Sequence, residues 1–379
     1  ADVAPGIRRV LRALEGAATI RKGEVEEGLT RGTPIAEGDV VESRGRGVLQ
    51  LGDGTRIAFA EATRFTVAGL FTDQNGEKQV LIRLDQGRLR VTLGGQGMAR
   101  FRVDTPSGSA TCLDKGAFRV EVEADRSLRL SVYSGRVTIS NARGEGSVMA
   151  GERLTVFSSQ DLLNRVRAFN TFDGDAFDRW SEQASILRRG ESWDRVPEEI
   201  RYYADDLDRS GHWINSPEFG WVWQPNGVAE DWRPYTRGRW AAYPGGMTWV
   251  SDEPWAYVAY HHGRWHWAAG MGWCWIPGVY YSPAWVAWNQ TPGYAGWAPL
   301  GVHNTPCHWG YGAWGGGYAW NIVAVADLSF GNIHLRIQTG APLIRGFVVG
   351  RDPRAPWHYT PLMVSHAEFR SGRFDHAFR

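Results

Sequence analysis

The chain has 379 residues, a formal net charge of +1, 43% hydrophobic and 22% charged residues. That balance excludes wholesale disorder, and the near-neutral charge gives no broad polyanion-binding surface, so nucleic acid is not an expected partner. No run of about 18 apolar residues is present, so no spanning helix is expected, which leaves peripheral association as the expected route to a membrane.

Two counts divide the chain. Of 20 Trp, seventeen lie between Trp213 and Trp320 and none precedes Trp180, while the ten histidines begin at His212. The sequence is two chemically different halves in series. It opens Ala1-Asp2-Val3-Ala4-Pro5, as a chain does after signal-peptide cleavage at a small residue, so a periplasmic or extracellular location is expected. Three cysteines without CxxC spacing exclude zinc ribbons and thioredoxin-like motifs. In an oxidising compartment Cys274 and Cys307 are the expected pair, with Cys112 free.

Residues 1–160 show the period of two that marks half-buried strands. Phe118, Val120 and Val122 alternate with Arg119, Glu121 and Glu123, which predicts a wet face carrying solvated charge. Val48–Ile57 predicts a hairpin around Asp53-Gly54, and turns are expected at Asn75-Gly76, Ser134-Gly135 and Gly144–Gly146. Short strands at this spacing predict a β-sandwich or β-roll.

Residues 161–208 switch to helical period and predict a short helical linker. Its stripes are Leu162, Leu163, Val166 and Phe169; then Phe177, Trp180, Ala184 and Leu187; then, behind Pro197, Ile200, Tyr203, Ala204 and Leu207. The linker is expected to cover a sheet edge or join the two halves. Asp206-Leu207-Asp208-Arg209-Ser210-Gly211 opens like an EF-hand loop, but Pro217 stands where the closing acid belongs, so capping and turn roles are expected instead of calcium.

From 209 to 301 the chain repeats. Trp223, Trp249 and Trp275 are 26 residues apart, and Gly238-Arg239-Trp240 returns as Gly263-Arg264-Trp265. A fixed period of this length predicts an array of small units, each expected as a three-stranded antiparallel meander with Trp replacing an aliphatic core. In the clearest copy Trp255–Tyr260 is the first strand. The three register-matched Trp are expected to be buried. A ligand or partner surface, for stacking on sugar rings, is expected at Tyr235, Tyr257, Arg239, Arg264, Trp232 and Trp255. His261, His262 and His266 are expected as exposed turn residues and not as metal ligands. Residues 302–379 carry further strand signal at Ile322–Val325 and Phe347–Val349, and a polar end; Gly310–Gly315 matches GxGxxG only by chance in a Gly-rich loop.

Two resemblances follow from these motifs. Gly38-Asp39-Val40-Val41, Leu51–Thr55, Gly87–Val91, Phe101–Pro106 and Gly135-Arg136-Val137 together resemble the FecR-type periplasmic domain, over roughly residues 15–157. One position departs: the family's Gly-Thr-x-Phe is here Lys115-Gly116-Ala117-Phe118. Regulatory members of that family are anti-sigma proteins with a cytoplasmic segment and a membrane helix ahead of the periplasmic domain; a chain already mature at Ala1 would have neither, which favours a scaffold over a signalling role. The Trp-rich stretch, with Gly211-His212-Trp213, Gly220–Trp223, Trp232–Tyr235, Gly272–Gly278 and Gly296–Leu300, is similar to the DUF6600 family, over about residues 203–301, often found behind a FecR-like domain.

No GxSxG, HExxH or P-loop is present, nor a nucleophilic Cys with a His partner. The expected function is therefore a non-enzymatic, exported cell-envelope protein acting as a binding or scaffold module, without cofactor or metal, whose partner is a protein or glycan of the envelope. The alternatives are an envelope sensor or regulator of FecR type, or a glycan- or peptidoglycan-binding protein.

Overall fold

The structure is a computed structural model that describes residues 9–72, 78–94, 98–186, 188–310, 317–338 and 367–368. The chain divides into two compact units between Arg188 and Arg189. Both are mainly β, as the patterning predicts. The turn at Asn75-Gly76, Leu187, the strand at Phe347–Val349 and the polar end lie outside the described residues.

In the N-terminal unit two sheets share one long strand, Lys78–Thr92. Its first part pairs with Arg64–Thr72 and, in parallel, with Met98–Thr105. Its last part pairs with Arg56–Phe59 and Ala117–Val122. The change of partners falls around Gly87, where φ is +92° and a Cβ would stand 2.5 Å from the Thr63 Cα. One strand can therefore enter both layers only because it carries no side chain at the corner. Inside lie Leu11, Ile20, Phe59, Phe65, Leu89, Phe101 and Phe118, all buried. The predicted hairpin is present, with Leu49 opposite Ile57.

The outer face of this sheet differs from expectation. Arg90, Arg119 and Glu121 are buried, not solvated. The helix Ala176–Ala184 covers them, seating Phe177 and Trp180 on Val48, Ala58 and Ala60. Asp175 caps this helix, accepting from the Asp178 backbone N–H at 2.9 Å, as a short acidic side chain does at an N-cap. The stripe at Leu162–Phe169 forms no helix. Leu163 and Val166 pack on the sheet core instead, and Arg167–Ala168 adds a short strand.

The C-terminal unit begins with the one-turn α-helix Ser192–Arg195, the 3-10 segment Glu198–Tyr203 and the helix Asp205–Ser210. The predicted stripe Ile200, Tyr203, Ala204 and Leu207 is buried. The EF-hand-like acids lie on that last helix, where Arg209 pairs with Asp205 and Asp206.

Four antiparallel hairpins follow: Gly211–Ser216 with Gly220–Pro225, Arg239–Tyr243 with Gly246–Val250, His262–Ala268 with Gly272–Tyr281, and Val286–Thr291 with Tyr294–Pro299. Each sets one Trp directly opposite another: Trp213 and Trp223, Trp240 and Trp249, Trp265 and Trp275, Trp288 and Trp297. The repeating unit is thus two-stranded, not three-stranded, and there are four copies among the described residues. The segment read as the first strand of the clearest copy is the helix Ala256–His261, buried at every position. A continuously apolar run has no period to separate the two states.

The glycine ahead of the first Trp has a geometric cause. A Cβ on Gly211, Gly238 or Gly263 would stand 2.4, 2.9 or 2.8 Å from the indole of Trp223, Trp249 or Trp275. The second Trp of each pair lies across the backbone that leads to the first. The fourth hairpin has Val286 at this place; its Trp297 donates the indole N–H to the Tyr235 carbonyl, 2.9 Å away, as Trp223 and Trp275 do to the Leu207 and His262 carbonyls.

Candidate functional site

Trp223, Trp249 and Trp275 are at most 1% exposed, as their shared register predicts. They belong to a continuous aromatic core. Trp240 packs on Trp249, Trp288 and Trp297 with ring centroids 5.1, 4.4 and 5.5 Å apart. Edge and tilted contacts of this kind add to the stabilisation from burial itself.

The residues expected to form a stacking surface are mostly part of that core. Tyr235 is fully buried; its hydroxyl donates to the Tyr260 carbonyl at 2.9 Å and accepts from the Trp285 backbone N–H at 3.2 Å. Burial pushes its phenol far above the usual range. Tyr257 is buried against Tyr203 and His261. Trp255 packs on Trp223 and Trp232. Arg264 is half-buried, 3.5 Å over the Trp285 ring and bonded to Asn304. Arg239 is half-buried on the second hairpin. Tyr235, Tyr257, Trp232 and Trp255 therefore serve as buried packing rather than as an exposed platform, beside smaller buried side chains such as Val222, Met247 and Val258.

The histidines are also corrected. His261 and His262 are buried rather than exposed, because the turn that was to carry them is a helix end. The His261 Nδ1 donates to the Ser282 carbonyl at 3.0 Å, and burial holds its pKa down to about 4, so it is neutral. Nor do Cys274 and Cys307 pair: all three cysteines are buried free thiols. The Cys307 Sγ donates to the Trp265 carbonyl at 3.0 Å. Burial pushes the Cys274 thiol up to about 12 and raises Cys307 as well, which suppresses the reactive thiolate.

One cleft in this unit has the make-up of a site. It encloses about 490 Å³ and is lined by Trp232, Arg233, Arg237, Trp309, Tyr318 and Trp320 among others. Of the six residues anticipated as a surface, it takes in only Trp232. Trp232 is fixed from behind, where its indole N–H donates to Glu253 at 2.9 Å. Glu253 also accepts from Tyr260, and burial raises its pKa. Arg233 is the unusual member, at 7% exposure. Its Nε donates to the Asn321 Oδ1 at 2.9 Å, and its guanidinium lies 4.5 Å from the Trp309 ring centre. Asn321 is held the right way round because its Nδ2 donates to the Pro234 and Tyr235 carbonyls. The two terminal nitrogens of Arg233 have no hydrogen bond or ion pair among the described residues. Burial lowers its pKa to about 10, a fall only partly opposed by Asp231, so it stays charged at neutral pH. The sequence carried one trace of this: Arg233 sits in the Trp232–Tyr235 motif that is among those carrying the DUF6600 resemblance.

Comparison with known proteins comes to four findings. The FecR protein family model matches residues 40–138, all within the N-terminal unit. The model of DUF6600, a family of unknown function, matches residues 204–304, which span the four hairpins. No protein of curated function matches. Two crystal structures of an anti-sigma factor candidate from Parabacteroides distasonis, at 2.50 and 1.65 Å resolution, match at 18% and 17% identity with a TM-score of 0.29, covering 34% of this chain and 58% of theirs. This chain thus spans little more than half their length, and a superposition that loose adds nothing to the argument. What the sequence motifs anticipate is found in their order: this chain carries a FecR segment followed by a DUF6600 segment.

Proposed function

We propose that this protein is a non-enzymatic sensor or regulator exported to the bacterial cell envelope. The observation that carries the reading is the FecR match over residues 40–138, inside the two-sheet N-terminal unit. The scaffold role anticipated from the sequence is the weaker reading, because a family that includes regulators matches residues 40–138 of the N-terminal unit. No helix among the described residues is long and apolar enough to cross a membrane. In this reading the Trp-rich unit supplies ligand recognition and the FecR segment contacts a protein partner.

The test is transcript profiling of a deletion strain against the complemented strain. A regulator changes a discrete set of transcripts, restored by the full chain and not by a chain lacking residues 40–138. An unchanged transcript profile overturns the reading.

A further inference from the structure

The cleft around Arg233 is rich in donors and poor in acceptors. The terminal guanidinium nitrogens find no partner among the described residues, and neither does the indole N–H of Trp309. Asp231 lines the cleft but makes no ion pair with Arg233, and leaving a buried cation without a bonded counter-charge is costly, by several kcal/mol where it is well desolvated. A protein that keeps one has use for a ligand that supplies the missing charge. The guanidinium fork matches a carboxylate or a phosphate. The lining residues decide between them by charge: Arg233 and Arg237 against Asp231 leave one net positive charge, which suits a monoanion and disfavours a dianion.

The walls decide what carries the anion. Trp309 and Tyr318 are half-buried rings on the cleft, with Thr236, His334 and Asp231 beside them. Half-exposed aromatic faces next to hydroxyl and carboxylate side chains fit a ligand that is apolar on its faces and hydroxylated at its edges. The volume of about 490 Å³ lies within the range of small-molecule sites, roughly 300–1,000 Å³.

We propose that this cleft binds a monocarboxylated sugar, its carboxylate on Arg233 and its ring against Trp309 and Tyr318. The proposal concerns the ligand and stands apart from the regulatory reading, since binding and transcription are measured separately.

The test is isothermal titration of the full chain with glucuronate and N-acetylmuramate, against glucose and N-acetylglucosamine as uncharged counterparts and inorganic phosphate as an anion without a ring. The acidic sugars are expected to bind at least tenfold more tightly than their neutral counterparts and more tightly than phosphate. Arg233→Gln should erase the preference for acid. Arg237→Gln, on the exposed rim and so safe for folding, should weaken the acidic sugars a few-fold and leave neutral sugars unchanged. Equal binding of acidic and neutral sugars, binding of phosphate as tight as any sugar, or no binding at all overturns the proposal. If Arg233→Gln does not fold, the Arg237→Gln result decides: an unchanged preference rejects the site.

Discussion

Arg90 and Asp178, 88 residues apart in sequence, meet in the N-terminal unit with Nη1 to Oδ1 at 2.7 Å and both side chains under a tenth exposed. Asp178 also accepts from Arg119 at 2.9 Å and from the Tyr133 hydroxyl at 3.2 Å. Burial, and next to it the Asp178 charge, push the Tyr133 phenol up to about 12. One carboxylate on the helix Ala176–Ala184 therefore bridges two buried arginines of the sheet beneath it, with Glu182 completing the charge balance at Arg90 and Glu121 and Asp175 at Arg119.

Removing that carboxylate should unfold the clamp. Breaking a buried pair leaves an uncompensated charge and costs roughly 3–5 kcal/mol. Asp178→Ala should lower the unfolding free energy of the N-terminal unit, read by denaturant titration, by that order. Glu182→Gln, whose side chain is 64% exposed although it contacts Arg90, should cost at most about 1 kcal/mol. Equal effects of the two variants would refute the clamp.

The same network sets an acid response. Burial works to raise the Asp175 pKa, but the Asp178 backbone N–H and Arg119 outweigh it and leave the pKa lowered. A carboxyl depressed in the folded state stabilises above its unfolded pKa of about 3.9, and that stability is lost as pH falls through the folded value. Melting temperature measured from pH 5 down to pH 2 should therefore fall less steeply in Asp175→Asn than in the parent chain. Parallel curves would reject the assignment.

Gly263 tests the hairpin geometry. Its φ is +69° and a Cβ would stand 2.1 Å from the Ile276 carbonyl oxygen and 2.8 Å from the Trp275 ring. Gly263→Ala combines left-handed strain with overpacking and should cost roughly 2–5 kcal/mol. Gly270 has φ of +80° but open space around it, so Gly270→Ala should cost only about 1–2 kcal/mol. Thermal melts of the two variants check the ordering.

Trp249 tests the aromatic core. It is 1% exposed and packs on Tyr235, Trp240, Tyr260 and Trp297. Trp249→Ala should cost about 3–5 kcal/mol through lost transfer energy and the cavity left behind. Trp221, 41% exposed beneath Arg195, should tolerate alanine at about 1 kcal/mol. An unchanged melting midpoint for Trp249→Ala would mean the ring is not core.

The thiols give a direct chemical check. All three cysteines are buried and unpaired, so a thiol reagent at pH 8 should label none in the native chain and three after denaturation. One labelled thiol after denaturation would restore the Cys274–Cys307 bridge.

What the sequence alone determined was local and periodic. The alternation in Phe118–Val122, the Asp53-Gly54 hairpin, the order of the two modules and the burial of Trp223, Trp249 and Trp275 all follow from spacing, which one chain carries in full. What only the tertiary structure decided was partnership. A period of two puts Arg119 on the outer face but says nothing of the helix that arrives there with Asp178. The apolar run at Ala256–His261 has no period, and burial on all sides made it a helix. In the sequence Arg233 is one more residue of the Trp232–Tyr235 motif. It became a candidate site because folding removed it from water, placed Trp309 and Asn321 against it, and brought no carboxylate of the described residues into an ion pair with it, a combination set by residues up to 88 positions away.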